Sequence, residues 1–317
     1  MSAKVRSISM KLSKWLLEEL LPDRSTNKNI VWATDDYIDY GDSYAPECQI
    51  IAEQIVNGDI SLIRPRVEKT KEQQADRTRN KAEVFTPSWI CNQQNNLIDE
   101  QWFGRPDVFN TTDNKTWKST QGKILFSNET GKTWQDYVNA KRMEITCGEA
   151  PYLVSRYDTV TGEIISDVNE RIGLLDRKLR VVNENTDNLN DWFKWVKAAY
   201  RSIYGYEYQG DNLLLARENL IMTFIENKVY KFGKEPSEKE IKSIAEIISW
   251  NLWQMDGLTY TAPFSETEHI NEEIQFALIG SDDEPEIIKE PVFCIIKDWT
   301  SKDEKKTIEY RTLVKKG

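Results

Sequence analysis

The chain has 317 residues and a formal net charge of −10, and 39% of its residues are hydrophobic while 30% are charged. This length can bury a sizeable core, and the acidic balance argues against a protein whose whole surface coats nucleic acid. The only histidine, His269, lies in an acidic polar segment, where we expect a surface position. Histidine-dependent hydrolysis and zinc sites are therefore excluded, and we expect no metal site.

The cysteines and the hydropathy indicate the compartment. Four cysteines lie far apart without a Cys-x-x-Cys spacing, and this pattern predicts reduced thiols in a cytoplasmic protein. No apolar run is long enough to span a membrane, and we expect no secretory leader. Residues 8–21 instead show the pattern of an amphipathic helix.

The N-terminal part is predicted to be a helical or mixed extension over residues 1–78, followed by an α/β domain over residues 79–317. Residues 64–81 carry seven basic side chains among three acidic ones. Such a stripe could hold phosphates, but a mixed run is more typical of a solvated linker or an exposed helix.

The next segment contains Phe85, Thr86 and Pro87 before an apolar helix. Proline suits the first turn of a helix and keeps the preceding residue out of the helical conformation. We therefore expect Thr86 to be extended, with its hydroxyl and amide free for a ligand. The alternative is an ordinary junction between a loop and a helix.

A polar, turn-rich insertion is predicted over residues 110–131, with strands over residues 123–126 and 142–146. The second strand runs into Cys147, Gly148, Glu149 and Ala150. A glycine after the first strand of a nucleotide-binding unit lets the backbone approach a ligand. Here Glu149 would add a negative charge beside that ligand. The alternative is a buried strand that ends in a plain turn.

A helix capped by Asp191 is predicted to end at Gly205, and a strand over residues 203–208 contains Glu207. A carboxylate at such a strand end can accept two hydrogen bonds from a ribose diol. A solvated glutamate is the alternative. A further helix covers residues 213–224, and Asp211 could cap it.

Ser237 and Glu240 form the pattern of a capping box, and an apolar helix follows. The next strand is predicted to end near Asp256, although Asp-Gly is also a common turn signal. A last apolar strand over residues 292–297 precedes Asp298 and Trp299. Strands that alternate with helices in this way predict an α/β sheet.

These ordered blocks, which span somewhat more than half the chain, resemble those of the adenine-N6 DNA methyltransferases, especially the modification subunits of restriction systems. The resemblance implies a Rossmann-like S-adenosylmethionine-dependent methyltransferase fold with a helical N-terminal extension. It also implies that S-adenosylmethionine is the cofactor and that the substrate is a flipped adenine in double-stranded DNA. The residues that the resemblance assigns to the cofactor are Phe85, Thr86, Pro87, Cys147, Gly148, Glu207 and Asp256.

The family's catalytic block, Asn or Asp followed by two prolines and an aromatic residue, does not occur in this sequence. Asp298 and Trp299 stand nearest to its place, as a candidate acceptor for the amine and a ring to stack on the base. A plain strand and turn is the alternative. We therefore expect the chain alone not to methylate DNA at the rate of its relatives, and a second subunit to supply missing parts.

Three functions follow. The first is a DNA adenine-N6 methyltransferase of a restriction-modification or anti-phage system, and the second is a non-catalytic specificity or scaffold subunit that binds cofactor or DNA. The third is a nuclease that uses Asp211, Glu226 and Lys228, whose spacing on a helix fits poorly.

Overall fold

A computed structural model describes residues 12–56, 62–81, 83–126, 131–270, 287–303 and 305–314. The protein is a mixed α/β structure with a small parallel sheet. Its helices within the described ranges are α1 (Lys14–Leu20), α2 (Ala52–Val56), α3 (Lys71–Lys81), α4 (Ser88–Phe103), α5 (Trp134–Asn139), α6 (Leu174–Asn185), α7 (Leu189–Arg201), α8 (Gly210–Phe232), α9 (Glu238–Asn251) and α10 (Arg311–Val314). Its strands there are β1 (Pro22–Asp23), β2 (Lys28–Asn29), β3 (Asn110–Asp113), β4 (Thr116–Ser119), β5 (Arg142–Ile145), β6 (Ile203–Glu207), β7 (Leu252–Gln254), β8 (Thr261–Ile270), β9 (Ile287–Phe293), β10 (Ile295–Lys297) and β11 (Thr307–Glu309).

The parallel sheet consists of β5, β6 and β7, with β6 in the middle. Helices α6 and α7 connect β5 to β6, and α8 and α9 connect β6 to β7. Parallel strands need such crossover connections because a short turn cannot return the chain to the same end of the sheet. The other described strands form antiparallel pairs, β1 with β2, β3 with β4, β8 with β9, and β10 with β11.

The sheet separates two hydrophobic clusters because successive side chains of a strand point to opposite faces. Ile203 and Leu252 belong to the larger cluster, which the helices build on one face. Tyr206 and Trp253 belong to the smaller cluster on the other face, where the β10–β11 pair packs. The carboxyl ends of the three strands lie between these two clusters.

The N-terminal segment belongs to the same core as the rest of the chain. Leu17 and Trp32 are buried in the larger cluster, and Gln254 at the end of β7 hydrogen-bonds to both the amide and the carbonyl of Val31. The predicted boundary between residues 78 and 79 lies inside α3. The extension is therefore packed onto the sheet at the carboxyl ends of its strands.

Gly210 makes that packing possible, and Gly210→Ala is expected to destabilise the protein by about 1–3 kcal/mol through overpacking. A Cβ atom at this position would lie 2.0 Å from the carbonyl oxygen of Val31. Chemical denaturation would measure the loss, and hydrogen exchange should show faster opening of the Trp32 amide. Gly104→Ala is the control: Gly104 has a φ of 72° and only open space around it, so its substitution adds local backbone strain without a clash and should not speed the opening of Trp32. Equal opening of Trp32 in both variants would contradict the explanation.

Several expected elements differ from the structure. Residues 123–126 form no strand; instead Ile124 is buried and its amide donates to the carboxylate of Glu184. Residues 292–297 are two strands that meet at Cys294, whose amide and carbonyl bond to Tyr260 and Tyr310. The polar insertion contains the β3–β4 hairpin, and its residues 127–130 lie outside the described ranges, as do residues 8–11 of the predicted first helix.

Helix boundaries also shift where polar side chains compete for the cap. Asn188, not Asp191, caps α7, and its side chain accepts from the Asp191 amide. Ser237 and Glu240 form the predicted capping box of α9. Within the basic stripe, residues Lys71–Lys81 form α3, but the Arg77 side chain of this helix is buried rather than solvated. The side chain of His269, in β8, lies outside the described part of the structure.

None of the helices in the described ranges combines the length and apolar character needed to cross a bilayer. The four cysteines are free thiols.

Candidate functional site

A small cleft of about 120 Å³ opens at the carboxyl ends of β5 and β6. Parallel α/β sheets bind ligands at this edge, since the loops after the strands diverge there. Side chains and backbone from three separate segments line it: Phe85, Thr86, Cys147, Gly148, Glu207 and Asn212.

The loop after β5 forms one wall of the cleft. The Cys147 amide donates to the Tyr206 carbonyl and so extends the pairing of β5 with β6. Gly148 and Ala150 both have positive φ angles, 51° and 64°. This conformation favours glycine and costs other residues about 1–2 kcal/mol. Ala150 thus adopts a backbone conformation that glycine reaches at lower cost.

Glu149 does not face the cleft, so the expectation of a negative charge beside a ligand is wrong for this residue. Its carboxylate accepts hydrogen bonds from the Arg66 amide and from the Tyr157 hydroxyl. Burial raises the pKa of Glu149 to about 7, while the bonds from Tyr157 and Arg66 oppose that rise. The carboxylate therefore ties the segment before α3 to the loop after β5.

Glu207 ends β6 and holds the loop after β5 in place. One carboxylate oxygen accepts from the Gly148 amide at 2.9 Å, and the other accepts from the amides of Tyr208 and Gln209 at 3.0 and 3.2 Å. Burial raises the pKa of Glu207, and these three backbone hydrogen bonds oppose the rise. The result is a fixed, buried acceptor group that also lines the cleft.

Phe85 and Thr86 form the opposite wall, whereas Pro87, directly before α4, does not line the cleft. Pro87 is the N-cap residue of α4, one position before the first turn in which the sequence predicts it. The Thr86 carbonyl accepts from the Thr159 hydroxyl. Burial raises the pKa of the Tyr152 phenol, and a hydrogen bond with the Thr86 side chain partly opposes this rise.

Asp256 lies in a neighbouring groove rather than in the cleft. This groove has a volume of about 1370 Å³ and also contains Tyr208 and Gln254. The Asp256 carboxylate accepts from the amides of Leu258 and Thr259 in the turn after β7. The Met255 amide donates to the Glu207 carbonyl, so both acidic residues lie at the same edge of the sheet. The structure brings Thr86, Cys147, Gly148 and Glu207 together but leaves Asp256 beside them.

Asp298 and Trp299 lie at the opposite, amino-terminal end of the sheet. They line an apolar cavity of about 510 Å³. Arg142, the first residue of β5, and Ser202, the residue before β6, line the same cavity. The Asp298 carboxylate accepts from the amide and hydroxyl of Thr300, which lower the pKa of Asp298. The Trp299 indole donates to the Asn251 side chain. The structure therefore does not bring these two candidate catalytic residues to the cleft.

Sequence reasoning missed a buried polar pair on the floor of the cleft, Glu83 and Asn212. The Asn212 amide group donates to a Glu83 carboxylate oxygen at 3.0 Å, and Arg77 donates to the same oxygen. The other Glu83 oxygen and the Asn212 side-chain oxygen are buried without a hydrogen-bond donor among the described residues. The two residues are 129 positions apart, so no local pattern could have paired them.

The nuclease residues do not form a site. Asp211 pairs with Lys69 and Arg77, and Lys228 pairs with Glu240. Glu226 bonds to Arg156 and Arg171. No group of histidine, cysteine, aspartate or glutamate side chains in the described ranges is arranged to hold a metal ion.

Comparison of the chain with protein-family models, with curated proteins and with solved structures gives no match.

Proposed function

We propose that the cleft binds S-adenosylmethionine and that the protein is a DNA adenine-N6 methyltransferase-like component of a restriction-modification or anti-phage system. The observation that carries the cofactor proposal is the convergence of Phe85 and Thr86, Gly148 and Glu207 at the carboxyl edge of a parallel sheet. The order of β5, β6 and β7, with helical crossovers, supports a Rossmann-like half-sheet, since the same order occurs in a mononucleotide-binding unit.

The chemistry of the cleft fits this cofactor. The Glu207 carboxylate can accept hydrogen bonds from a ribose diol, and the glycine at position 148 lets the ligand approach the backbone. Glu83 and Asn212 each have one buried oxygen without a hydrogen-bond donor, and these add acceptors for an amino group, although the Glu83 oxygen lies 3.8 Å from the Arg66 guanidinium. Asp256, in the next groove along the same edge, would contact the adenine ring of the cofactor if the ligand extends across the end of β6.

The cleft must widen to hold the whole cofactor, because ligand pockets usually enclose about 300–1,000 Å³. The segment before α4 is the wall that moves in this proposal. Val84 is 76% exposed, and the Phe85 ring contacts the Arg66 guanidinium rather than packing in the core. The DNA substrate is proposed from the sequence resemblance alone.

The position of Asp298 and Trp299 favours a second candidate, a non-catalytic subunit that binds cofactor or DNA. A methyl acceptor must lie next to the sulfonium, and these residues line a cavity at the other end of the sheet. In this second function, a partner subunit would supply the groups that bind the adenine amine.

Titration calorimetry with S-adenosylmethionine tests the cofactor proposal. We expect Glu207→Gln to weaken binding roughly 10- to 100-fold, since each charge-assisted hydrogen bond contributes about 1.5–3 kcal/mol. Asp298→Asn is the matched control, because it makes the same change of acid to amide away from the cleft, and it should leave affinity unchanged. Circular dichroism would confirm that both variants fold. Absence of binding by the wild-type protein would reject the proposal.

Labelled S-adenosylmethionine and mixed-sequence DNA separate the two candidate functions. Binding without transfer of label by the isolated chain would favour the non-catalytic subunit. Efficient transfer that Asp298→Asn abolishes would instead place the chemistry at Asp298.

A further inference from the structure

The parallel sheet has an open edge along β5. This strand is the outer member of the sheet and pairs only with β6 among the described strands. The Arg142 amide donates to the Ser202 carbonyl. Because backbone groups alternate in direction along a strand, those of Met143 and Ile145 point away from β6. Such an unpaired row of donors and acceptors is a template for another strand.

The face of the sheet beside this edge is only partly covered. Parallel sheets are normally buried on both faces, and here the helices cover one of them. On the other face, the β10–β11 pair packs over Trp253, but the Ile145 side chain in β5 remains 63% exposed. The cavity of about 510 Å³ lies next to it, between Met143, Tyr204 and Ile308. Apolar surface and unpaired backbone therefore coincide at β5.

Positive charge surrounds the amino-terminal end of the same edge. Four basic residues, Lys141, Arg142, Arg201 and Lys297, line the cavity against one acidic residue, Asp298, and neither arginine forms an ion pair with a described residue. Arg201 lies over the Trp299 ring at 4.8 Å. The chain has a net charge of −10, so its surface as a whole repels the phosphates of nucleic acid. The local positive cluster instead favours a partner segment with a few acidic side chains.

We propose that the open edge of β5 binds a β-strand of a second polypeptide. An apolar side chain of that strand fills the cavity, and its acidic end lies beside Arg142 and Arg201. Main-chain hydrogen bonds to Met143 and Ile145 provide affinity, while the cavity and the arginines select the sequence, as in other cases of strand addition. This inference concerns the end of the sheet opposite the cleft and does not depend on cofactor binding.

A synthetic peptide tests the proposal on the full chain. The probe is acetyl-Glu-Asp-Val-Thr-Ile-Thr-Val-Gly-amide at millimolar concentration, and hydrogen exchange is followed at single amides. We expect the Met143 and Ile145 amides to become about tenfold more protected, while Glu144, which already faces β6, changes little. The same peptide with proline in place of isoleucine should give no protection, because proline removes a donor and its ring disrupts strand pairing.

Matched variants locate the binding. Ile145→Lys should abolish the protection of Met143, whereas Ile38→Lys, which changes another exposed isoleucine, should not. A peptide with Lys-Lys in place of Glu-Asp should bind the wild-type protein more weakly, and Arg142→Gln with Arg201→Gln should remove that difference. Absence of protection, or equal protection by the proline peptide, would overturn the proposal. So would concentration-dependent protection of Met143 without peptide, because a second copy of the chain would then cover the edge.

Discussion

Asp211→Ala is expected to lower the free energy of unfolding by about 3–5 kcal/mol, the usual cost of removing one partner from a buried ion pair. The Asp211 side chain is fully buried and accepts from Arg77, Lys69 and Tyr37. Burial favours its neutral form, but the charges of Lys69 and Arg77 outweigh burial and hold the pKa of Asp211 well below its ordinary value. Without the carboxylate, two buried cations lose a counter-charge.

Urea denaturation at neutral pH would measure this loss. Asp187→Ala, at an exposed position before α7, is the matched control and should cost less than about 0.5 kcal/mol. Lys69→Met in the Asp211→Ala background should recover part of the stability, because it removes one of the unpaired charges. A loss below about 1 kcal/mol for Asp211→Ala would contradict the role of this ion-pair network.

In the wild-type protein, the free energy of unfolding is expected to fall by up to about 3 kcal/mol as the pH rises from 4.5 to 7, and Glu149→Gln is expected to abolish this fall. The pKa of Glu149 is raised from 4.5 to about 7 in the folded protein, chiefly by burial. Between these values the folded state keeps a proton that the unfolded state has released. Stability therefore falls as pH rises through this window and stays level above it, whereas a glutamine does not titrate.

The measurement is a set of denaturation curves for both proteins from pH 4.5 to 8. The stability of Glu149→Gln relative to wild type should rise with pH and then level off above about 7. Glu163→Gln, at an exposed position, should follow the wild-type profile. A constant difference between Glu149→Gln and wild type at every pH would show that Glu149 does not change its protonation in this range.

The sequence predicts much of the helical structure because its signals are local. Ser237 and Glu240 are three residues apart, and their reciprocal capping bonds mark the start of α9, where Lys228 also pairs with Glu240. Pro87 places the start of α4 in the same way. The sequence predicts β5 and β6 because each apolar segment ends at a turn signal. Cys147-Gly148 follows β5, and a turn follows Glu207 at the end of β6.

The sequence does not reveal which partner a strand or a charge will find. Residues 123–126 show an apolar pattern, but the Ile124 amide bonds to a side chain instead of to a neighbouring strand. Arg77 lies in a mixed charged run, yet it is buried and pairs with Asp36 and Asp211 from distant segments, as well as with nearby Glu83. Both outcomes depend on contacts across long stretches of chain.

The same distinction applies to the candidate site. The sequence predicts Gly148 and Glu207 because Gly148 follows β5 and Glu207 ends β6, and parallel sheets bind ligands at this edge. The order along the chain places Asp298 after Asp256, but β10 and β11 pair in a separate hairpin, and Asp298 lies at the other end of the parallel sheet. Position along the sequence therefore predicts the cleft only for strands that belong to the parallel sheet.

The bonds between Val31 and Gln254 affect how the protein forms during synthesis on the ribosome. They join residues 223 positions apart, so the N-terminal segment cannot take its final place until β7 has left the exit tunnel. At a synthesis rate of about 5–20 residues per second, this interval lasts roughly 10–45 seconds. During that time Trp32 and the apolar side of α1 lack the surface that later buries them, and a chaperone that binds apolar segments has its best opportunity there.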